Sequence, residues 1–236
     1  MEKVMKAYNS NRKASLTAGI LYLLTFVSVP TLALYGSIHD ANYVVSSFPD
    51  TPVLIGGILE IVVGLTGIGT ALALYPVLKK QNEGLALSLV GFRVLEAATI
   101  FVGVMFLLTV VALHQSGAGA GALDISRTLV TMYDRMFLIG QSFMPAINDV
   151  VLGILLYKSR LVPRGLSLIG IIGGPVLLAG TFSVMFGLIG QRDPLAGLSA
   201  VLVAGFELSL GIYLIRKGFK PSAIANLGPQ PLKPLR

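Results

Sequence analysis

The chain contains six long runs of apolar residues, and this feature constrains its fold more than any other. A helix needs about 20 mostly apolar residues to cross the hydrocarbon core of a bilayer. A transmembrane barrel would instead show strands of about 10 residues with alternating polarity, and these runs do not alternate. The sequence therefore predicts an all-α, polytopic membrane protein, a bundle of six transmembrane helices. The predicted spans are residues 14–36, 53–78, 85–113, 129–157, 166–190 and 195–215.

The composition excludes most soluble and redox functions. Hydrophobic residues make up 54% of the chain and charged residues 12%, with a mean hydropathy of +0.81, whereas an average soluble domain carries about 25% charged residues. The net charge of +7 does not indicate a nucleic-acid partner, because the basic residues lie in short clusters between apolar runs. Cysteine is absent and only two histidines are present. We therefore expect no metal, no cofactor and no nucleic acid.

Lysine and arginine lie mostly on one side of the predicted bundle. Fourteen of them fall before the first span, in the second and fourth connections, or after the last span, whereas Arg127 and Arg192 fall on the other side. Because basic loops stay in the cytoplasm, an even number of spans places both termini there. We expect a multi-pass protein of the cell membrane. The fourteen residues are Lys3, Lys6, Arg12, Lys13, Lys79, Lys80, Lys158, Arg160, Arg164, Arg216, Lys217, Lys220, Lys233 and Arg236.

The predicted domain organisation has three parts. Residues 1–13 form a basic cytoplasmic N-terminus, residues 14–217 the six-helix transmembrane domain, and residues 218–236 a Pro-rich basic tail. The tail has few apolar side chains to bury, so it is predicted to be disordered. Its basic residues are suited to contact anionic lipid head groups, and membrane lipids are the expected partners.

Ionisable side chains inside the spans are the strongest functional signal. Each costs at least about 2.5–3.5 kcal/mol to insert at the centre of a helix in lipid, so it needs a partner or water. Arg93, Asp149 and Glu207 each lie eight residues from the basic end of their spans, a depth of about 12 Å at 1.5 Å per residue. A guanidinium can hold a carboxylate with two hydrogen bonds. Arg93 is therefore predicted to pair with acids of the fourth and sixth spans.

Further polar residues extend this cluster. Glu96 lies one turn after Arg93 on the same helix face. With three carboxylates around one guanidinium, at least one acid is expected to hold a proton, which offers a route to proton coupling. In the fourth span, Pro145 predicts a kink beside polar side chains. The residues predicted to bind a ligand or couple protons are Arg93, Glu96, Asn148, Asp149, Glu207, Gln141 and Glu60, with no catalytic and no metal-binding residue among them.

Small residues flank the buried acids at helical spacing, and they favour an inward orientation of the acids because other helices can approach there. Gly56 and Gly64 flank Glu60, and Gly153 and Gly211 follow Asp149 and Glu207 by four residues. The segments DVVLGILLYK (residues 149–158) and ELSLGIYLIR (residues 207–216) also match at several positions. Convergence of two apolar helices and an internal repeat of hairpins, as in many transporters, both explain this match.

Three segments resemble a known family. They are RKASLTAGILYLLTFV (residues 12–27), LVGFRVLEAATIF (residues 89–101) and LLYKSRLVPRGLSLIGIIGGPVLL (residues 155–178). The chain resembles, from about residue 12 to residue 217, the bacterial integral-membrane family called domain of unknown function 4386. The resemblance implies a multi-helix bacterial membrane protein, and with it a location in a bacterial inner membrane. It supplies no activity, substrate or catalytic residue.

Three functions remain open from the sequence. The first is binding or transport of a small or amphipathic ligand in an intramembrane polar pocket, with proton coupling. The second is a scaffold or accessory protein in which buried ion pairs fix the helix register. The third is a lipid-modifying enzyme with Asp149 or Glu207 as general base, although no nucleophile motif accompanies them.

Overall fold

The computed structural model describes the backbone of residues 2–227 and the side chains of residues 10–227. Within this part of the chain the secondary structure is entirely helical, and six segments are long and apolar enough to cross a membrane. The predicted all-α fold with six spans is therefore confirmed. The six segments are Ser10–Leu34, Thr51–Leu78, Glu83–Gln115, Gly119–Ser159, Arg164–Met185 and Pro194–Arg216.

The first span is broken, whereas the sequence predicts a continuous helix. Helix α1 covers Glu2–Thr25, a short 3₁₀ turn follows at Phe26–Ser28, and α2 covers only Thr31–Leu34. Pro30 lies at the start of α2. Proline has no backbone N–H and clashes with the preceding turn, so a regular helix cannot continue through this position. The break leaves a gap beside the last span, which becomes important for the site.

Two long helices follow the first span and pack closely together. Helix α3 is Thr51–Leu78 and helix α4 is Glu83–Gln115. The turn between them is short because Asn82 caps α4: its side-chain oxygen accepts a hydrogen bond from the backbone N–H of Leu85 at 2.9 Å. This turn holds the two helices antiparallel along most of their length.

The fourth span contains a wide turn. A 3₁₀ segment at Gly119–Ala122 leads into α5 (Leu123–Leu138), a π-helical segment at Ile139–Phe143 and α6 (Met144–Ser159). The π turn comes just before Pro145, whose missing N–H disrupts the regular hydrogen-bond ladder. The interruption predicted at Pro145 is therefore realised as a π turn, a feature that often occurs at functional sites.

The last helices complete the bundle. They are α7 (Arg164–Met185), α8 (Pro194–Ser199), α9 (Val201–Arg216) and α10 (Pro221–Asn226). Helix α7 packs between α6 and α9, and α9 also packs on α1. Helices α1 and α9 meet at Gly19 and Gly211, where a Cβ atom on Gly19 would lie 2.8 Å from the carbonyl oxygen of Gly211. Only glycine permits such a close approach.

Part of the C-terminal tail is folded, unlike the disordered tail that the sequence predicts. Phe219, Ala223 and Leu227 are buried against the main core, and the backbone N–H of Lys220 donates to the carbonyl oxygen of Leu161 at 2.9 Å. The aromatic and aliphatic side chains give this segment enough apolar surface to dock. Residues 228–236 lie outside the described residues.

The bundle has two ends of different character. The basic end consists of the α3–α4 turn, the α6–α7 turn and residues 217–227, which carry Lys79, Lys80, Lys158 and Lys220 among others. The opposite end consists of residues 35–50, 114–128 and 186–193. The candidate site residues lie between these two ends.

Candidate functional site

A buried arginine is the centre of the site. Arg93 lies on α4 and is 3% exposed. Its Nη1 donates to both carboxylate oxygens of Glu96, at 3.2 Å to Oε1 and 3.0 Å to Oε2. The two residues are three positions apart on one helix, so they lie on the same face. The helix itself therefore supplies the first ion pair.

The last span supplies the second ion pair. Arg93 Nη2 donates to Glu207 Oε1 on α9 at 2.7 Å. The side chain of Glu207 is 13% exposed, more than its partner. Both terminal nitrogens of the guanidinium are thus occupied by carboxylates from different helices. The structure brings together the arginine and the sixth-span acid that the depth estimate places at one level.

Helix α6 adds an amide and a third carboxylate. Asn148 Nδ2 donates to Glu96 Oε2 at 2.6 Å. The neighbouring Asp149 is completely buried, and neither of its carboxylate oxygens has a hydrogen-bond partner among the described residues. Arg93 forms its ion pairs with Glu96 and Glu207, and Asp149 is not among its ion-pair partners. The predicted pairing of Arg93 with the fourth span is therefore wrong, because the rotation of α6 presents Asn148 to the cluster instead.

Two residues complete the surroundings of the guanidinium. The ring of Tyr22 on α1 has its centroid 5.7 Å from Arg93 Cζ, within range of a cation–π interaction. On α3, a Cβ atom at Gly67 would lie 3.8 Å from Arg93 Cδ, so the stem of the arginine packs on the backbone there. The ionic cluster, defined as Arg93, Glu96, Asn148, Asp149 and Glu207, thus draws on helices α4, α6 and α9 and is covered by α1 and α3.

Glu60 forms a separate polar site. It is fully buried on α3, and its Oε1 accepts hydrogen bonds from Tyr133 Oη at 2.7 Å and from Gln141 Nε2 at 2.8 Å. Neither donor is charged, and Glu60 does not pair with Arg93. The sequence analysis selects Glu60 together with the cluster because small residues flank it at helical spacing, as they flank Asp149 and Glu207. The structure instead attaches it to the fourth span near the π turn.

A cavity of about 190 Å³ adjoins the ionic cluster. Arg93, Glu96, Glu207 and Gln141 form its polar wall, while Asn148 and Asp149 do not line it. Residues at the break in the first span form another wall, so the break helps to create the cavity. The remaining lining side chains are mostly apolar and include Phe26, Val29, Val63, Leu177 and Val203.

Two further cavities extend this space toward the opposite end. A cavity of about 300 Å³ shares Gln141, Leu177 and Ala200 with the first one. A third, of about 160 Å³, shares Leu32 and Phe137 with the second and reaches the opposite end of the bundle. Together these adjoining cavities fall within the size range of small-molecule sites, about 300–1,000 Å³.

The rim of these cavities reaches the side of the bundle. Val29 and Leu32, which line the first and second cavities, are 62% and 73% exposed. Both belong to the first membrane-spanning segment. The rim of the cavities is therefore an exposed apolar surface on the side of this segment.

At the opposite end, each of the two histidines connects a loop to a helix. His39 Nε2 is hydrogen-bonded to Asp134 Oδ1 at 3.0 Å, and His114 Nδ1 to Asp50 Oδ1 at 2.7 Å. Burial raises the pKa of Asp50, but hydrogen bonds from Tyr43, His114 and Gln115 outweigh it, so its pKa lies below the ordinary value. Within the described residues, no group of three or more His, Asp or Glu side chains is arranged to hold a metal ion.

Sequence reasoning missed the aromatic partners of the charged residues. Tyr22 beside Arg93 and Tyr133 beside Glu60 come from spans distant in the sequence, and no local spacing connects them to their partners. The residues that the structure does bring together around the guanidinium are Glu96, Asn148, Asp149 and Glu207, all of which the sequence analysis selects. Gln141 contacts Glu60 and also lines the cavity beside the cluster.

The helical bundle with buried charged residues defines a multi-pass helical membrane protein. The chain belongs to the family described as Domain of unknown function (DUF4386), which matches residues 17–218 and confirms the resemblance seen in the sequence. No curated protein and no solved structure matches the chain. The family description names no activity, so any function must be argued from the site itself.

Proposed function

We propose that the bundle binds an amphipathic ligand whose polar end is positively charged, in the cavity beside the ionic cluster. The observation that carries this proposal is the lining of that cavity. Two carboxylates and an already paired guanidinium form its polar wall, and apolar side chains form most of the rest. Such a combination of apolar walls with few polar groups is typical of small-molecule sites.

The charge of the ligand follows from the pairing within the cluster. Arg93 gives both terminal nitrogens to Glu96 and Glu207. The carboxylates outnumber the guanidinium, and Asp149 adds a third acid behind the cavity wall. Uncompensated negative charge is expensive in a buried site. A protonated amine or a quaternary ammonium group supplies the missing charge, whereas an anionic group increases the surplus.

The apolar walls of the cavity and the position of its rim are the reasons for proposing that the ligand has an apolar tail. Side chains such as Val63, Leu177 and Val203 line the cavity away from the cluster. The exposed rim at Val29 and Leu32 is apolar and belongs to a segment that is long and apolar enough to cross a membrane. A ligand dissolved in the membrane can therefore enter sideways and keep its tail in apolar surroundings.

A proton and the cationic ligand are expected to compete for the carboxylates of the ionic cluster. When the cavity holds no cation, a proton on one of the three carboxylates can neutralise part of the negative charge. Binding of a cation then favours release of that proton, because both compete for the same carboxylates. This linkage supports proton-coupled movement of the ligand. The clustering of basic residues supports a cytoplasmic location of the basic end, in a cell membrane.

The experiment compares three probes of equal chain length with different head groups. Decyltrimethylammonium, decanol and decanoate are tested for binding to the purified protein and to Glu207→Gln, which keeps the shape of the side chain and removes its charge. We expect the ammonium probe to bind best, and to bind about tenfold more weakly to Glu207→Gln, since a hydrogen-bonded or paired charge contributes about 1.5–3 kcal/mol.

Glu83→Gln is the matched control, because Glu83 lies at the basic end of α4 and does not line the cavity. It should bind all probes like the parent protein. Stronger binding of decanoate would contradict the proposed charge of the ligand while keeping the cavity as a site. Equal binding of all three probes to parent and Glu207→Gln proteins would contradict the site itself. Proton release on binding of the ammonium probe tests the coupling.

A structural role is the second candidate, and a specific observation favours it. The guanidinium links α4 to α9, and Asn148 links α6 to Glu96, so the cluster connects three helices. Buried charge networks of this kind can fix the arrangement of helices without binding anything. In that case Glu207→Gln lowers stability and no probe distinguishes the two proteins.

A further inference from the structure

The basic end contains a cavity of about 660 Å³, larger than those beside the ionic cluster. Lys80, Lys158, Arg160 and Lys220 line it, and among the described residues no acidic side chain lines it. Ser159, Ser222 and Asn226 add hydrogen-bonding groups. The proposed function does not use this cavity.

Three separate parts of the chain build this cavity. The α3–α4 turn contributes Lys80, the α6–α7 turn contributes Lys158 and Arg160, and the C-terminal segment contributes Lys220. The hydrogen bond between the backbones of Lys220 and Leu161 holds the last two parts together. A concave surface with charges of one sign concentrates ions of the opposite sign. The fold therefore gathers four cationic side chains around one space. The rule that basic loops stay in the cytoplasm requires only that these residues lie on the same side of the membrane.

The backbone conformation of Arg160 is a second, independent observation that points to this cavity. Arg160 ends α6 with φ +57°, the left-handed conformation that glycine adopts most readily at the end of a helix. It is the only residue other than glycine with positive φ in the described part of the chain. Any side chain larger than that of glycine is disfavoured in this conformation, and such strain often occurs at functional sites. Glycine would suit the backbone better, but it would remove a cation from the cavity.

We infer that this cavity binds a phosphate-bearing anion. Several flexible lysines and one arginine surround the space, and both side chains are established donors to phosphate oxygens. The anion can be the head group of an anionic phospholipid or a soluble phosphate compound. Both sources present the same chemistry, and the experiment separates them.

The experiment uses the full chain and compares two pairs of substitutions that remove equal charge from the same end. The cavity pair is Lys80→Gln with Arg160→Gly. The control pair is Lys79→Gln with Arg164→Gln, whose native side chains lie over the rings of Tyr75 and Tyr157 and do not line the cavity. Inorganic phosphate binding is measured in neutral detergent, and retention of phosphatidylglycerol is measured in bilayers that otherwise contain only phosphatidylcholine.

The cavity pair should weaken anion binding about tenfold or more, and the control pair less than about twofold. Arg160→Gly should also leave the thermal stability of the protein unchanged or higher, because glycine relieves the left-handed conformation. Loss of binding in a well-folded protein therefore reports on the site. Lys80→Gln with Lys220→Gln serves as a second cavity pair if the first one folds poorly.

Binding of phosphate identifies a soluble anion as a ligand, and retention of phosphatidylglycerol without phosphate binding identifies a lipid head group. Either result supports the inference when the cavity pair abolishes it. Equal losses in the cavity and control pairs would show that the total charge of this end holds the anion, and would overturn the inference. Failure of both probes to bind the parent protein would overturn it as well.

Discussion

Glu60 and Glu96 are both buried carboxylates inside the bundle, yet the structure accommodates them differently. Glu96 is paired with a guanidinium and receives an amide hydrogen bond from Asn148. Within the described part of the chain, Glu60 receives hydrogen bonds from the neutral groups of Tyr133 and Gln141 and from no charged group. Glu96 lines the cavity beside the ionic cluster, whereas Glu60 does not. The ionic cluster thus depends on the balance of charges, whereas the Glu60 site depends on having an acceptor in the right place.

This difference separates two roles for polar residues in a membrane. A site held by neutral hydrogen bonds connects helices and needs no ion. A site that balances one guanidinium against several acids can change its state when a proton or another cation arrives. Substitutions that remove charge but keep shape should therefore affect the two sites unequally.

The largest effect is expected for Arg93→Met. The substitution leaves Glu96, Asp149 and Glu207 without a cation in a buried site, and breaking a buried ion pair in this way costs about 3–5 kcal/mol. Stepwise denaturation in mixed detergent, followed by circular dichroism, measures the loss in the free energy of unfolding. Arg127→Met is the control, because the side chain of Arg127 is 49% exposed and its Nη1 lies 3.5 Å from Asp124 Oδ1. A surface pair of this kind is worth less than about 1 kcal/mol.

A compensating substitution tests the reason for the loss. Adding Glu96→Gln and Glu207→Gln to Arg93→Met removes most of the unbalanced charge and should recover much of the stability. Failure to recover would indicate that the packing of Arg93 against Tyr22 and Gly67 matters more than its charge.

A smaller effect is expected at Glu60. Glu60→Leu leaves the hydroxyl of Tyr133 and the amide of Gln141 without an acceptor, at a cost of about 1–3 kcal/mol for each unsatisfied buried group. Glu60→Gln retains an oxygen acceptor and should cost less than about 1 kcal/mol. The same unfolding measurement compares the two. Equal losses for Glu60→Gln and Glu60→Leu would show that position 60 needs a charge, and would remove the contrast with Glu96.

Much of the fold could be predicted because the thickness of the bilayer fixes the length of apolar runs. The interruptions were harder. The break after Thr25 and the π turn before Pro145 depend on how neighbouring helices accommodate a missing N–H group, and the apolar pattern continues through both. The folded tail depends on a few apolar side chains, chiefly Phe219 and Leu227, that an average over a Pro-rich segment hides.

The candidate site was predictable in depth and less so in orientation. The helical rise places Arg93 and Glu207 at one level, and the two side chains do meet. The same estimate places Asp149 there, but depth does not determine the rotation of a helix about its axis. That rotation follows from packing such as the contact of Gly153 with Ile171 and the backbone of Ser167 on α7. It directs Asn148 to Glu96 and leaves Asp149 without a hydrogen-bond donor from the residues that the structure describes.

The smallest change in the free energy of unfolding is expected for Asp149→Asn. The sign of this change shows whether the cluster depends on the number of its charges or on its hydrogen bonds. Asp149 is a surplus acid without a hydrogen-bond donor among the described residues, so its neutral isostere should leave stability unchanged or raise it by about 1 kcal/mol. The adjacent Asn148→Asp substitution is the mirror-image control. It removes the amide that donates to Glu96 and adds a fourth carboxylate, so it should destabilise the protein clearly. A loss of several kcal/mol on Asp149→Asn would mean that the cluster needs all three negative charges, and the excess of acid that favours a cationic ligand would then be a structural requirement of the fold.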